Sequence, residues 1–287
     1  MKKQQGTIIG ILSAAFVWTV SSMCGFSEDA KPERLPARIV VAKVIGDVNA
    51  TNQADKTTRS LKQNDVIFEK YTVNVGSESS AVLIFANGAA VNIRANSSLV
   101  IANFLQDPFS EPYSISTATE EPTTSITNLN LTKGEVVCNV KKLHIDGDKG
   151  SSFVVNTPVG AAGVRGTTFS VRYIAPAGGN GKASYILSVT EGAVSLSDST
   201  GNSTLIPSGR AGTITAEVTT DPVTGAVTIT EITNIELIDV TPEQKAEIQA
   251  ASEEVAAVEV NALNIITSTP QVAPPIVNPE PTSSPNP

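Results

Sequence analysis

The segment NTPVGAAGVRGTTFSVRY, residues 156–173, decides the fold. It leads a turn-forming Asn-Thr-Pro into Gly160, Gly163 and Gly166, sets Arg165 beside the last of them, and ends in the strand-like run Thr168 to Tyr173. Phe153, Val155, Val159, Phe169, Val171 and Tyr173 share one parity, whereas Val164 falls on the other. In a strand every second residue faces the same way, so the alternation slips before Val164 and recovers after Gly166. A slip and recovery bracketed by glycines predicts a β-bulge or tight bend, because glycine takes positive φ without steric cost. Such a bend frees carbonyls that a guanidinium can satisfy. Arg165 is therefore read as a structural clamp in preference to a ligand contact.

Outward from this joint, residues 38–240 repeat one pattern. Short runs rich in Val, Ile, Thr and Phe alternate with Gly, Asn, Asp, Ser and Pro, which predicts an all-β domain. AVLIFANGAAVNIR (81–94) is the clearest hairpin, with Asn87-Gly88 suited to a type I′ turn. Asp198 to Asn202 and DPVTG (221–225) read as further turns. Residues 103–128 carry Pro108, Pro112 and Pro122 with Asp107, Glu111, Glu120 and Glu121, and read as a solvated loop insertion. Thr241 as N-cap, Pro242 at the first helical position and Gln244 closing a capping box start an amphipathic helix over 241–263. Its apolar face is Ile248, Ala251, Val255, Val258 and Ala262. Residues 264–287 read as a Pro-rich disordered tail.

The first residues bear on location. Lys2 and Lys3 precede an uncharged stretch to Ser27 with an apolar centre from Ile8 to Val20, the layout of a signal peptide over 1–27. Its length also approaches that of a membrane anchor. The interspersed Ser and Thr and the small residues near Gly25 favour cleavage, which would leave no membrane span. Lipidation of Cys24 is a weaker option, since Met23 is a poor fit before it. The protein is expected to be exported, periplasmic or associated with the cell surface; an uncleaved leader would instead tie it to the inner membrane. Losing residues 1–27 takes the formal charge from −8 to −10. An acidic chain with few aromatics argues against nucleic acid and anionic lipid as partners.

Chemistry-bearing motifs are sparse. Cys138 is the only cysteine beyond the leader, so no intrachain disulfide or cysteine metal cage is expected. His144 is the only histidine, and no G-x-S-x-G elbow accompanies it. HIDGDKG (144–150) offers Asp146 and Asp148 but has Thr157 where a calcium loop needs its bidentate Glu. GGNGKA (178–183) has Ala183 where a phosphate loop needs Ser or Thr. No catalytic residue, metal site or cofactor follows from these residues, and the protein is read as non-enzymatic. A glycan-directed hydrolase built on two carboxylates is the less favoured alternative.

The opening segment also resembles the signature of the FecR domain family, a Thr-Pro followed by small residues and then V-R-G-T. The match rests on Thr157, Pro158, Val164, Arg165, Gly166, Thr167 and Phe169. VIGDVNA (44–50), SESSAVLIFANGAAVNIRANSSLVI (77–101), LTKGEVVCNV (131–140), SVTEGAVSL (188–196) and IPSGRAGTI (206–214) resemble successive pieces of the same domain. The resemblance implies an extracytoplasmic β-roll or solenoid-like stack of short strands, with a β-sandwich as the alternative. Name-giving members are inner-membrane regulators. They control a sigma factor from a cytoplasmic segment and receive a signal from a TonB-dependent outer-membrane receptor. Only three residues precede Gln4 here, so the sigma-binding segment is not expected. The resemblance then implies an interaction module of the cell envelope whose partner is an envelope protein, such as an outer-membrane receptor, or an envelope polymer. The alternative is an anchored component relaying envelope or iron-uptake type signals. Mass spectrometry of the mature protein should find its N-terminus between Cys24 and Lys31. An intact Met1 to Val20 segment would favour the anchored alternative.

Overall fold

The computed structural model describes residues 34–109, 113–114, 117–145 and 150–268. The leader with Cys24, the acids Glu111, Asp146 and Asp148, and residues 269–287 of the tail lie outside the described residues. Among the described residues the chain is all-β with one α-helix and a short 3-10 turn at Ala177–Gly179. Its first strands are β1 (Leu35–Pro36), β2 (Ile39–Ile45), β3 (Val48–Asn52), β4 (Thr58–Ser60), β5 (Val66–Ile67), β6 (Tyr71–Val75), β7 (Ser80–Phe85), β8 (Ala90–Ile93) and β9 (Ser97–Gln106). There follow β10 (Ser125–Val140), β11 (Ser152–Thr157), β12 (Gly160–Val164), β13 (Thr167–Ile174), β14 (Asn180–Glu191) and β15 (Ala193–Asp198). The last are β16 (Ser203–Pro207), β17 (Arg210–Thr220), β18 (Val227–Ile232) and β19 (Glu236–Asp239), before α1 (Pro242–Ser268).

Strand pairing folds one continuous β-structure into two layers. The first layer runs β4-β3-β6-β9-β10-β11-β12-β15-β16, with β1 beside the end of β9. The second runs β5-β2-β7-β8-β10-β13-β14-β17, with β18 and β19 on the far side of β17. β10 belongs to both. Its first half pairs with β9 and β11, and its second half pairs with β8 and β13. Between the layers lies the core, with Phe85, Phe104, Phe153, Phe169 and Tyr185 among its largest buried side chains. Phe85 and Phe104 meet edge to face at 4.9 Å.

The chain passes repeatedly from one layer to the other at corners set on two opposite edges. Gly46, Glu78, Asn96 and Gly134 turn successive corners on one edge, and Gly166, Gly192 and Gly209 turn them on the other; all seven have positive φ. Packing as well as φ demands glycine at several. A Cβ on Gly134 would lie 2.6 Å from Ser97 Cα, and one on Gly192 would lie 2.8 Å from the Gly166 carbonyl oxygen. The opening segment is one such corner. β11 turns through Pro158-Val159 into β12, whose buried positions are Gly160, Ala162 and Val164, and Arg165-Gly166 then carries the chain into β13. The parity slip is thus the hairpin turn, and the recovery is the change of layer. Of the three glycines only Gly166 has positive φ.

Three expectations change. The 81–94 hairpin forms, but only Gly88 has positive φ. The Gly88 N–H donates to the Phe85 carbonyl, so the turn has a right-handed start and a glycine bulge and is not type I′. Asn87 is buried. Its side-chain oxygen accepts from the Ala89 N–H at 3.0 Å, and its Nδ2 donates to Ser125 at 3.0 Å. The supposed loop of 103–128 is shorter, because residues 103–106 end β9 and 125–128 begin β10. Glu121 in the intervening connection is buried rather than solvated. Finally, the helix continues through 264–268.

α1 lies on the outer face of the second layer, against β2, β7, β8, β10, β13 and β14. The Thr241 hydroxyl accepts from the Gln244 N–H at 3.2 Å and Gln244 accepts from the Thr241 N–H at 2.9 Å, completing the capping box. Ile248, Ala251 and Val255 are buried, with Val258 partly so. No helix among the described residues is long and apolar enough to cross a membrane. The corners give a graded expectation. Gly134→Ala should cost about 2–5 kcal/mol, from positive φ plus overpacking against Ser97. Gly163→Ala, with negative φ and its nearest neighbour 3.9 Å from a Cβ, should be neutral or stabilising by about 0.4–1 kcal/mol. Denaturant melts of the two variants check this.

Candidate recognition cleft

Along the edge turned by Gly46, Glu78, Asn96 and Gly134 lies a cleft of about 700 Å³. Its walls come from the ends of β2, β8 and β13, the start of β7 and the bend of β10, so one row of corners builds it. Ile45 and Ile174 are 44% and 49% exposed there, which makes them its solvent-facing apolar surface. Arg94, Lys133 and Arg172 stand with Glu78 and Glu135 around them. Arg172 is committed: its Nε and Nη2 donate to Glu135 Oε2 at 2.9 and 2.7 Å. Lys133 has no hydrogen-bond or ion-pair partner among the described residues. Glu78 (φ 52°) and Asn96 (φ 57°) adopt the left-handed conformation without being glycine, and backbone strain of this kind collects at binding sites. The wall residues come from five separate segments of the chain, so sequence offered no signal that joined them.

The signature residues lie elsewhere. Thr157 donates its hydroxyl to the Gly160 carbonyl at 3.0 Å and, with Pro158, forms the β11–β12 turn. Val164, Thr167 and Phe169 are buried on either side of the Gly166 corner. Arg165 does not clamp that bend. It is exposed and makes no hydrogen bond to a described residue, because the corner turns it outward while Gly166 packs against the backbone of Lys142. What holds the corner is the pairing of its flanking strands, β12 with β15 and β13 with β10.

Beneath the opposite edge is a polar cluster that sequence reading missed. Glu121 accepts from the Ser125 hydroxyl at 2.6 Å and from the His144 N–H at 2.7 Å. His144 Nε2 lies 2.8 Å from the Glu121 carbonyl oxygen, and Ser151 Oγ accepts from the Ser125 N–H at 2.9 Å. These contacts tie Glu121, His144 and Ser151 to the start of β10. The ring nitrogen meets a backbone oxygen rather than a carboxylate, so this is a strut and not a nucleophilic triad. Cys138 is buried in the core and its thiol pKa is pushed up by desolvation, which leaves it inert. Among the described residues no three His, Cys, Asp or Glu gather to hold a metal ion.

Burial raises the Glu121 carboxyl above its ordinary value, against hydrogen bonds from Ser125, Ser151 and His144 that lower it. Raised in the folded state, the group holds its proton to higher pH than in the unfolded chain. Its contribution is therefore full below the unfolded pKa of about 4.3 and is lost as pH rises through the folded value. Glu121→Gln should lose less stability than the native chain between pH 4 and pH 7. Denaturant melts across that range should show the difference, and parallel curves would mean that Glu121 ionises normally.

Comparison with known proteins bears on the same segment. Residues 71–195 match the family model described as FecR protein. No curated protein matches the chain. Two crystal structures of candidate anti-sigma factors from Parabacteroides distasonis ATCC 8503 are similar to it. One is 16% identical over 58% of this chain with a TM-score of 0.36, and the other 14% identical over 69% with a TM-score of 0.38. The matched regions span 59% and 75% of those chains.

Proposed function

On the premise that this chain carries a FecR domain over residues 71–195, we propose that it is an exported, non-enzymatic interaction module that recognises another component of the cell envelope through the corner-row cleft. The carrying observation is the pairing of exposed Ile45 and Ile174 with unpartnered Lys133 in one cleft of about 700 Å³. That volume suits a few side chains of a bound segment. The apolar surface would supply most of the affinity and the charged rim the orientation. Four of the cleft's five wall segments fall within the matched residues 71–195, and Ile45 adds the fifth from outside. Glu135 is held by Arg172, while Glu78 is exposed and has no side-chain hydrogen-bond or ion-pair partner among the described residues, so the two carboxylates do not act as a pair, which suits recognition better than acid–base chemistry.

Burying the exposed half of Ile174 is worth about 0.7–1.5 kcal/mol, or roughly a three- to tenfold change in affinity. Ile174→Asp should reduce capture of the native envelope partner by at least that lower factor while leaving the melting temperature unchanged. Lys133→Glu should weaken capture less and alter its salt dependence. Leu205→Asp, on the exposed face of β16, serves as the control and should bind normally. Equal loss from Leu205→Asp, or none from Ile174→Asp, would move the interface away from the cleft.

A further inference from the structure

The outer face of the second layer has the composition of a surface, yet it is covered. Pairing across the layer aligns Asn92 with Val137, Val137 with Ser170, and Ser170 with Ser188. The next row aligns Asn139 with Thr168. α1 hides them: Asn92, Ser170, Ser188 and Thr168 are all buried. Their seat is nevertheless poorly filled. Among the described side chains of the helix, Ile248 and Ala251 form a small cluster with Val137 separate from the main core, and Val255, with Val258 partly buried beside it, joins that core. A cavity of about 420 Å³ remains between the helix and the strands, lined by Asn139, Thr168, Thr190, Lys245, Gln249 and Ser252 among others. Asn92 Oδ1 and Ser252 Oγ are buried without a hydrogen-bond partner. Polar groups desolvated but unpaired oppose the contact.

Charge does what apolar packing does not. Glu254 meets Lys43 at 2.6 Å and accepts from Asn92 Nδ2 at 2.8 Å, while Glu247 reaches Arg172 at 3.5 Å. In both ion pairs the cation stands on a strand and the carboxylate on the helix, although Glu135 shares Arg172 from the strand side and Glu191 of β14 lines the cavity with Lys245 of the helix. We propose that this face is a seat for an acidic amphipathic helix, that α1 occupies it in cis, and that α1 lifts off while the strands stay folded, leaving the seat open to an acidic amphipathic helix of a partner. The seat requires carboxylates spaced seven residues apart, as Glu247 and Glu254 are, on the flank of a short aliphatic stripe.

Hydrogen exchange on the full chain tests the first part. Amides of α1 from 246 to 258 should exchange through an opening at least roughly 100-fold more frequent than that of β10 and β13. Glu254→Gln should speed α1 and leave those strands unchanged. For the second part, Ile248→Asp releases the helix, and a synthetic peptide of residues 241–263 is added as the probe. The released variant should bind the peptide at least about tenfold more tightly than the native chain does, since the seat is empty, and a scrambled peptide of the same charge should not bind. If Ile248→Asp fails to fold, exchange on the native chain and peptide competition at raised salt decide. α1 exchanging in step with β10 and β13, or a peptide that binds no better to the released variant, would overturn the proposal.

Discussion

The contact between Ser97 and Gly134 shows the constraint from which the architecture follows. Ser97 Oγ accepts the Glu135 N–H at 2.9 Å and lies 3.2 Å from the Ala95 and Glu135 carbonyl oxygens, and its Cα lies where a Gly134 side chain would begin. One edge repeats the device at Gly46, where Ser79 Oγ accepts the Asp47 N–H at 2.9 Å. The other edge uses Thr167 packed on Gly192. Three corners, at Gly46, Gly134 and Gly192, are thus each locked against a neighbour by a small hydroxyl residue set against a missing Cβ. Because a corner fixes where a strand leaves one layer and enters the next, this stacking sets the register of both layers at once.

How far sequence revealed this depends on the kind of residue at each corner. Gly166 was legible because it sits between two runs of opposite parity, a pattern that only a change of direction produces. Glu78 and Asn96 were not, since neither residue type announces positive φ. Asn87-Gly88 marked the right turn but the wrong type, because the Asn side chain is drawn inward to Ser125 instead of solvating a left-handed turn. The burial of Glu121 was hidden for a different reason. Its partners Ser125, His144 and Ser151 approach from three separate pieces of chain, and an acid among prolines reads as solvated until those pieces meet. Arg165 misled in the opposite sense. An arginine between apolar runs suggests burial, but a corner can turn a single residue outward between two inward ones.

The two layers divide their duties unequally. The outer face of the first is built for water, as the Asn128, Asn130 and Asn156 contacts across β10 and β11 show. The outer face of the second is equally polar in its middle rows but carries α1. Stability therefore resides chiefly in the core between the layers, and the described side chains of the helix add to it through a few aliphatic groups and ion pairs. Ile248 and Val255 each contribute about 1.5–3 kcal/mol at most, reduced by the unpaired Asn92 and Ser252 atoms.

Cleft and helix seat meet at Arg172. It borders the cleft, its firm partner is Glu135, and its outer contact is Glu247 of α1 at 3.5 Å. A ligand that draws the guanidinium toward the cleft takes it away from the helix. The size of that link is bounded by the pair itself. Both side chains are well exposed, at 40% and 57%, and such pairs are worth about 0–1 kcal/mol, a change of roughly fivefold or less in either equilibrium. Lys43 and Glu254, closer and less exposed, hold the helix more firmly but touch the cleft nowhere. Occupation of the cleft can therefore bias the position of α1 through Arg172, whereas release of the helix has to come from a competitor for the seat itself.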